Sequence, residues 1–204
     1  VIDSVRLDTV RLALRSDSAN IYYNGQIRNN ISNPQYVFNS LFQGQLMSNS
    51  MTLLSRLYDQ DNRKIVDVGV DAALEHEGIR FHILNDSSTL GYRQFSVNKD
   101  NFVYLSSSKR LSAKINLLSN DNMGVQVFTN DSTEALQDLS IGVHKFDLEK
   151  VIAVIPYLPN VSGIADGDFH VIQTKQDISV SSSVRVADMT YENCPMGNVG
   201  AEFV

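Results

Sequence analysis

The stretch Lys64-Ile-Val-Asp-Val-Gly-Val-Asp-Ala-Ala-Leu-Glu75 decides the fold class. Val66, Val68, Val70, Ala72 and Leu74 alternate with Asp67, Gly69, Asp71, Ala73 and Glu75. Side chains of a β-strand point to opposite faces with period two, so the stretch reads as a strand with one dry and one wet face. The pattern recurs outward in both directions. Val10, Leu12 and Leu14 alternate with Arg11, Ala13 and Arg15, and Leu111, Ala113, Ile115 and Leu117 with Ser112, Lys114 and Asn116. Ile178, Val180, Val184 and Val186 share a face with Ser182, opposite Ser179, Ser181, Ser183 and Arg185.

Several strands read as long. Lys64 to Leu84 is broken only at Glu77-Gly78, and Val5–Ser16 and Ile178–Glu192 exceed the usual strand length. In the last, the apolar phase moves to Ala187, Met189 and Tyr191, which predicts a bulge or bend near Ala187-Asp188. Turn chemistry stands at Asn24-Gly25, Asn85-Asp86-Ser87-Ser88, Asn98-Lys99-Asp100-Asn101, Asn120-Asp121-Asn122 and Asn130-Asp131-Ser132. Asn and Asp tolerate left-handed backbone and bond their own chain there. Their spacing predicts a meander of hairpins rather than βαβ units. One segment differs. Asp147 to Ile155, ending at Pro156, reads as a two-turn helix capped by Asp147, with a short buried strand as the alternative because Val and Ile favour it. The connection near 145–162 is a possible sub-boundary. The strand patterns at Val1 and at Val199–Val204 suggest that residues 1–204 are a fragment of a larger β protein.

The 204 residues suffice for a core, and 43% hydrophobic with 20% charged is ordinary for a folded chain. With a net charge of −6 and basic residues spread singly at Arg6, Arg11, Arg15 and Arg28, no nucleic-acid footprint is evident. The longest apolar run, Val151–Ile155, is far short of a membrane-spanning helix. A single cysteine, Cys194, excludes an internal disulfide.

No phosphate loop, nucleophile elbow, His-Glu-x-x-His or Cys-x-x-Cys motif is present, so no enzymatic activity is expected. His76 and His82 share a face only if one strand runs unbroken through Gly78, and His144 and His170 stand apart; no metal is expected. Asp166-Gly167-Asp168 offers two carboxylates for a hard cation, but reads better as a turn before a strand with Phe169 and Val171. Asp59, Asp61 and Asp67 lack the arrangement of an acid–base pair. The Asn-x-Ser matches at Asn30, Asn85, Asn130 and Asn160 are expected by chance in an Asn- and Ser-rich chain. What remains is collective: the apolar strand faces. Periodicity alone favours two such faces meeting in a sandwich core, against one curved sheet holding its apolar face partly open.

Asp147-Leu-Glu-Lys-Val-Ile-Ala-Val-Ile-Pro-Tyr-Leu-Pro-Asn-Val-Ser-Gly-Ile-Ala-Asp-Gly-Asp-Phe169 resembles the AsmA-like/TamB family of the bacterial envelope, in which a short Leu-, Pro- and Gly-spaced segment precedes a new run of strands. Leu111–Val127 and the close from Tyr191 through Met196-Gly-Asn-Val-Gly-Ala-Glu-Phe203 look like family repeats. The Asn-rich, acidic character is similar to the version in Bacteroides-type bacteria. The resemblance covers roughly residues 100–204. It implies an all-β fold, a long curved antiparallel sheet forming a taco-like groove, with at most one short helix near 147–155. It also implies a parent protein held in the inner membrane by a helix outside this fragment, crossing the periplasm. Such translocation and assembly modules act with an outer-membrane barrel partner. The expected partners are lipid acyl chains or unfolded outer-membrane protein strands, with no nucleic acid, cofactor or catalytic residue. On this reading the groove is lined by Leu111, Ala113, Ile115, Leu117, Val125, Val127, Ile141, Val143, Phe169, Val171, Ile178, Val180, Val184 and Val186. Two alternatives stand beside it: a strand-edge module for client proteins, and a carbohydrate-binding sandwich using Tyr22, Tyr23 and Tyr92.

Overall fold

The computed structural model describes residues 7–29, 37–84, 87–130, 135–152 and 159–204. Its strands are β1 (Thr9–Ser16), β2 (Ile21–Asn29), β3 (Phe38–Leu46), β4 (Ser50–Tyr58), β5 (Lys64–Glu75), β6 (Gly78–Ile83), β7 (Ser87–Leu90), β8 (Arg93–Val97), β9 (Phe102–Ser106), β10 (Leu111–Ser119), β11 (Gly124–Thr129), β12 (Gln137–Asp147), β13 (Val161–Gln173), β14 (Ile178–Tyr191) and β15 (Cys194–Phe203). They form one curved antiparallel sheet in the order β1-β2-β3-β4-β5-β6-β9-β10-β11-β12-β13-β14-β15, with one short helix, α1 (Leu148–Ile152), after β12. The sandwich that periodicity favours is therefore replaced by a single layer. β12 and β13 pair from Gln137↔Gln173 to Asp147↔Ile164, so the sheet runs unbroken past α1. The Asp147 carboxylate accepts the Lys150 N–H at 3.5 Å, the capping contact expected of it. The second half of the expected helix, 153–155, lies outside the described residues, as do Val5, Asn30, Asn85-Asp86 and Asp131-Ser132.

The sheet's centre departs from a simple meander. Between β5 and β10, two half-length hairpin tracks lie end to end. β6 and β9 bridge Val70–Glu75 to Leu111–Lys114, and β7 and β8 bridge Val66-Asp67 to Leu117–Ser119. Where the tracks meet, the backbone ladder is interrupted, and two asparagines of the expected turn replace it. The buried Asn101 carboxamide accepts the Ile83 N–H at 2.7 Å and donates to the carbonyls of Ile83 (3.1 Å) and Asn98 (2.8 Å). Asn98 accepts the Asn116 N–H at 2.8 Å. In the same turn the Lys114 ammonium and then the Asn98 carboxamide hold the Asp100 carboxyl down at about 2, against an ordinary 3.8. A group depressed on folding stabilises the fold above its unfolded value and loses that contribution as pH falls from about 4 towards about 2. Lys114→Gln is expected to return Asp100 towards 3.8, read by carboxyl NMR titration; an unmoved midpoint would assign the shift to Asn98 instead.

Register shifts at four points bend the later strands, the last of them between Met189 and Thr190. Register shifts between Val143 and Phe146 surround Lys145 at φ 47°, and between Val186 and Met189 surround Asp188 at φ 49°. The second is the phase flip legible at Ala187-Asp188. A third shift lies between Ser162 and Ile164, at Gly163. Two expected turns are strand instead. Asn24-Gly25 is interior to β2, and the turn falls on Asp17–Asn20, where the Asp17 carboxylate accepts the N–H of Ala19 and Asn20. Gly25 is required by packing, since a Cβ there would meet the Phe42 ring at 2.0 Å. Asp166-Gly167-Asp168 lies inside β13, because Gly167 passes under Val184 of β14 at a distance that admits no side chain.

A single layer leaves surface uncovered. The accessible area is 13495 Å², against roughly 9,500 Å² for a compact monomer of 22.7 kDa. Among the described residues only Ile65, Ala72, Phe95, Val97, Ala113, Met123 and Ala165 are fully buried apolar side chains.

Candidate functional site: the apolar face of the sheet

Residues directly opposite each other on paired strands share a face, so register can be followed as rows across the sheet. One row runs Ile21, Leu46, Met51, Ala72, Phe81, Val103, Ala113. Another runs Leu14, Tyr23, Gly44, Leu53, Val70, Ile83. Beyond β10 the rows continue as Ile115, Val127, Ile141, Phe169, Ser182, Phe203 and as Leu117, Val125, Val143, Gly167, Val184, Ala201. Leu111 faces Leu105, Val171 faces Leu139 and Val180, Ile178 faces Gln173, and Val186 faces Ala165 and Val199. All fourteen residues expected to line a groove thus lie on one face. The same face extends through β1–β6, which sequence reasoning did not include.

This apolar face spans thirteen strands, about 58 Å across the sheet at ~4.8 Å per step. Its middle is half-buried by curvature and its rims are open. Val10, Leu12 and Leu14 on β1 are 62–67% exposed, and Ile178, Val199 and Phe203 on β14–β15 are also exposed. Exposed apolar area on this scale normally marks an interaction surface. The strand amides and carbonyls are consumed by the ladders on both sides, so inside the sheet the face presents hydrocarbon with few polar groups. Exceptions are informative. Tyr23 lies across Gly44 and donates its hydroxyl to the Thr52 carbonyl at 2.7 Å. The Ser182 hydroxyl is buried without a hydrogen-bond partner, between Phe169 and Phe203 in its row.

One end of the face is crossed by α1. A Cβ on Gly91, in the β7–β8 turn, would stand 2.6 Å from the Lys150 carbonyl. The Asp147 N–H approaches the Met123 sulfur at 3.3 Å, and Arg93 pairs with Asp121 and Asp147. Phe95 and Met123 are the most deeply buried apolar residues.

The opposite face carries charge. Arg56 pairs with Asp67 (3.3 Å), Thr52 with Asp71 (2.6 Å), His144 with Asp166 (2.8 Å) and His170 with Asp138 (2.7 Å), while Arg80 lies over Phe102 and Tyr104. The His170 ring, then the Asn130 amide, keeps the Asp138 carboxyl below its ordinary value. His76 sits in the β5–β6 turn and His82 approaches the Lys99 carbonyl, so the two do not converge. Among the described residues no group of His, Cys, Asp and Glu could hold a metal ion. Asp59 is bound to Arg63 and Tyr92 rather than to Asp67. No family model matches the chain, and no curated protein or solved structure is similar enough to it to support a comparison.

Proposed function

We propose that this sheet is a trough in the periplasmic part of an inner-membrane-anchored envelope protein, and that its apolar face carries phospholipid acyl chains between membranes. The observation that supports this reading is the succession of mostly apolar rows on one face of the sheet from β1 to β15. A methylene moved from water onto such a face gains about 0.8 kcal/mol, wherever along the trough it sits. A uniform wall therefore holds a chain firmly while letting it slide. The wall also discriminates against a polypeptide. An unfolded strand lying in the trough finds no backbone partners there, and each buried unpaired amide costs about 1–3 kcal/mol. Assembly of outer-membrane proteins with a barrel partner would instead use the sheet's edges. β1 and β15 each pair on one side only among the described residues, and every residue of β15 is exposed.

Photo-crosslinking separates the two. With a benzophenone residue at Val127 or Val171, lipid adducts are expected, and Ile115→Asp or Val180→Asp, respectively, should remove them with unchanged strand content by circular dichroism. Ile115 and Val180 are the direct cross-strand neighbours of these probes. Undiminished lipid adducts in both variants would overturn the trough. Protein adducts that survive both aspartates, but vanish when proline is placed along Thr9–Ser16, would select the edge.

A further inference from the structure

We propose that the polar face of β1–β4 is a binding surface for an anionic polysaccharide. Charge is segregated along the chain. Residues 1–58 hold five Arg against three Asp, whereas residues 59–204 hold twelve Lys and Arg against twenty Asp and Glu. Register then gathers what the sequence scatters. Arg11 faces Gln26, which faces Leu41, which faces Arg56, all on the face opposite the trough. Arg15, four residues along β1 from Arg11, and Arg28, two residues along β2 from Gln26, share that face. The strands β1–β4 themselves carry no carboxylate; the neighbouring ones are Asp17, in the β1–β2 turn beside Arg15, and Asp67 and Asp71 of β5. Among the described residues Arg11, Arg15 and Arg28 make no ion pair. Arg56 shares Asp67 at 3.3 Å with Lys64, whose ammonium is closer, at 2.6 Å.

Between Arg11 and Arg56 lies a depression of about 500 Å³. Asn24, Gln26 and Gln43 line it, with Leu41 and Leu54 beside them. Gln26 donates to Asn39 at 2.8 Å through its amide nitrogen, so its carbonyl oxygen is not used in that bond. A carboxamide both donates and accepts, which suits sugar hydroxyls. The arginines are spaced for a polymer. Three strand steps separate Arg11 from Arg56 and four residues separate it from Arg15, each about 14 Å. Charges so far apart do not converge on one phosphate, but they match substituents repeated along a chain. A flat bilayer would leave the recessed carboxamides unused.

The experiment uses the 204-residue chain and polygalacturonate oligosaccharides, followed by titration calorimetry at low and high salt. Binding is expected, with none to neutral dextran. Arg11→Gln/Arg15→Gln should weaken it about tenfold. Asn24→Ala/Gln43→Ala should weaken it about fivefold with unchanged salt dependence. All four residues are exposed, so these variants keep the fold. No binding overturns the proposal. So does equal binding to phosphatidylglycerol vesicles or oligothymidylate with the carboxamide variant unaffected, which would mark a general anion surface. None of these outcomes bears on the lipid adducts of the opposite face, so the two proposals fail separately.

Discussion

Asn101→Leu is expected to destabilise the sheet by about 4 kcal/mol, lowering the melting temperature by roughly 8–16 °C for a chain of this size. The size of the effect follows from where Asn101 stands. It is 3% exposed, at the point where the β6/β9 and β7/β8 tracks abut and neither continues the other's ladder. Its carboxamide takes the place of a strand residue, accepting one N–H and donating to two carbonyls. Leucine has the same branched skeleton, is bulkier, and has none of those groups. The Ile83 amide and the Ile83 and Asn98 carbonyls would lose their partners, at about 1–3 kcal/mol each where water does not enter. Asn98→Ala, at a wetter position of the same turn, should cost only about 1 kcal/mol, because Asn116 and Lys114 backbone groups can turn to solvent. Thermal scans of the two variants check the difference. Equal losses would mean that water replaces the Asn101 carboxamide and that the junction is not dry.

How far the sequence carries depends on which side chains decide each feature. Strand alternation is local, so the Lys64–Glu75 and Ile178–Tyr191 strands, and even the bulge at Asp188, were legible from period two alone. Turns depend on backbone conformation that several residue types reach. Gly91-Tyr92 and Glu192-Asn193 both turn with paired positive φ, yet only a Gly and an Asn advertise it. Asn24-Gly25 advertises a turn and is strand, because the Phe42 ring needs the space a side chain would fill. Whether apolar faces meet or stay open is a property of sheet closure, to which period two is blind; hence the sandwich expectation and its failure. The fourteen expected lining residues share one face because a meander keeps consecutive strands in register. Extending the face to β1–β6 needed the pairings across β6, β9 and β10. The arginine face needed cross-strand register too, since Arg28 and Arg56 are far apart in sequence and two strands apart in the sheet.

Phe95→Ala should cost about 4 kcal/mol, and Leu12→Ala less than about 0.5 kcal/mol, although both residues are large, apolar and on the same face. Phe95 is 2% exposed, opposite Ser88 and Ser119, beside the turn where Met123 and α1 close one end of the trough. Truncation there leaves a cavity that surrounding strands cannot collapse into, held as they are by ladders on both sides. Leu12 is 62% exposed, and none of the described residues covers it. A leucine that contributes almost nothing to folding has to be justified by what touches it from outside. Lipid loading should therefore invert the ranking. Leu12→Ala, with Leu14→Ala and Ile178→Ala, should fold like the parent and retain less co-purified phospholipid, while Phe95→Ala at a temperature where it is folded should retain a normal load. The contrast is read by differential scanning calorimetry against phosphorus assay of the purified proteins. If the rim variants lose stability in step with lipid, the rims are part of the fold's own core and the open trough is lost as an idea. If they lose lipid alone, folding and carriage are supported by different residues of one continuous face.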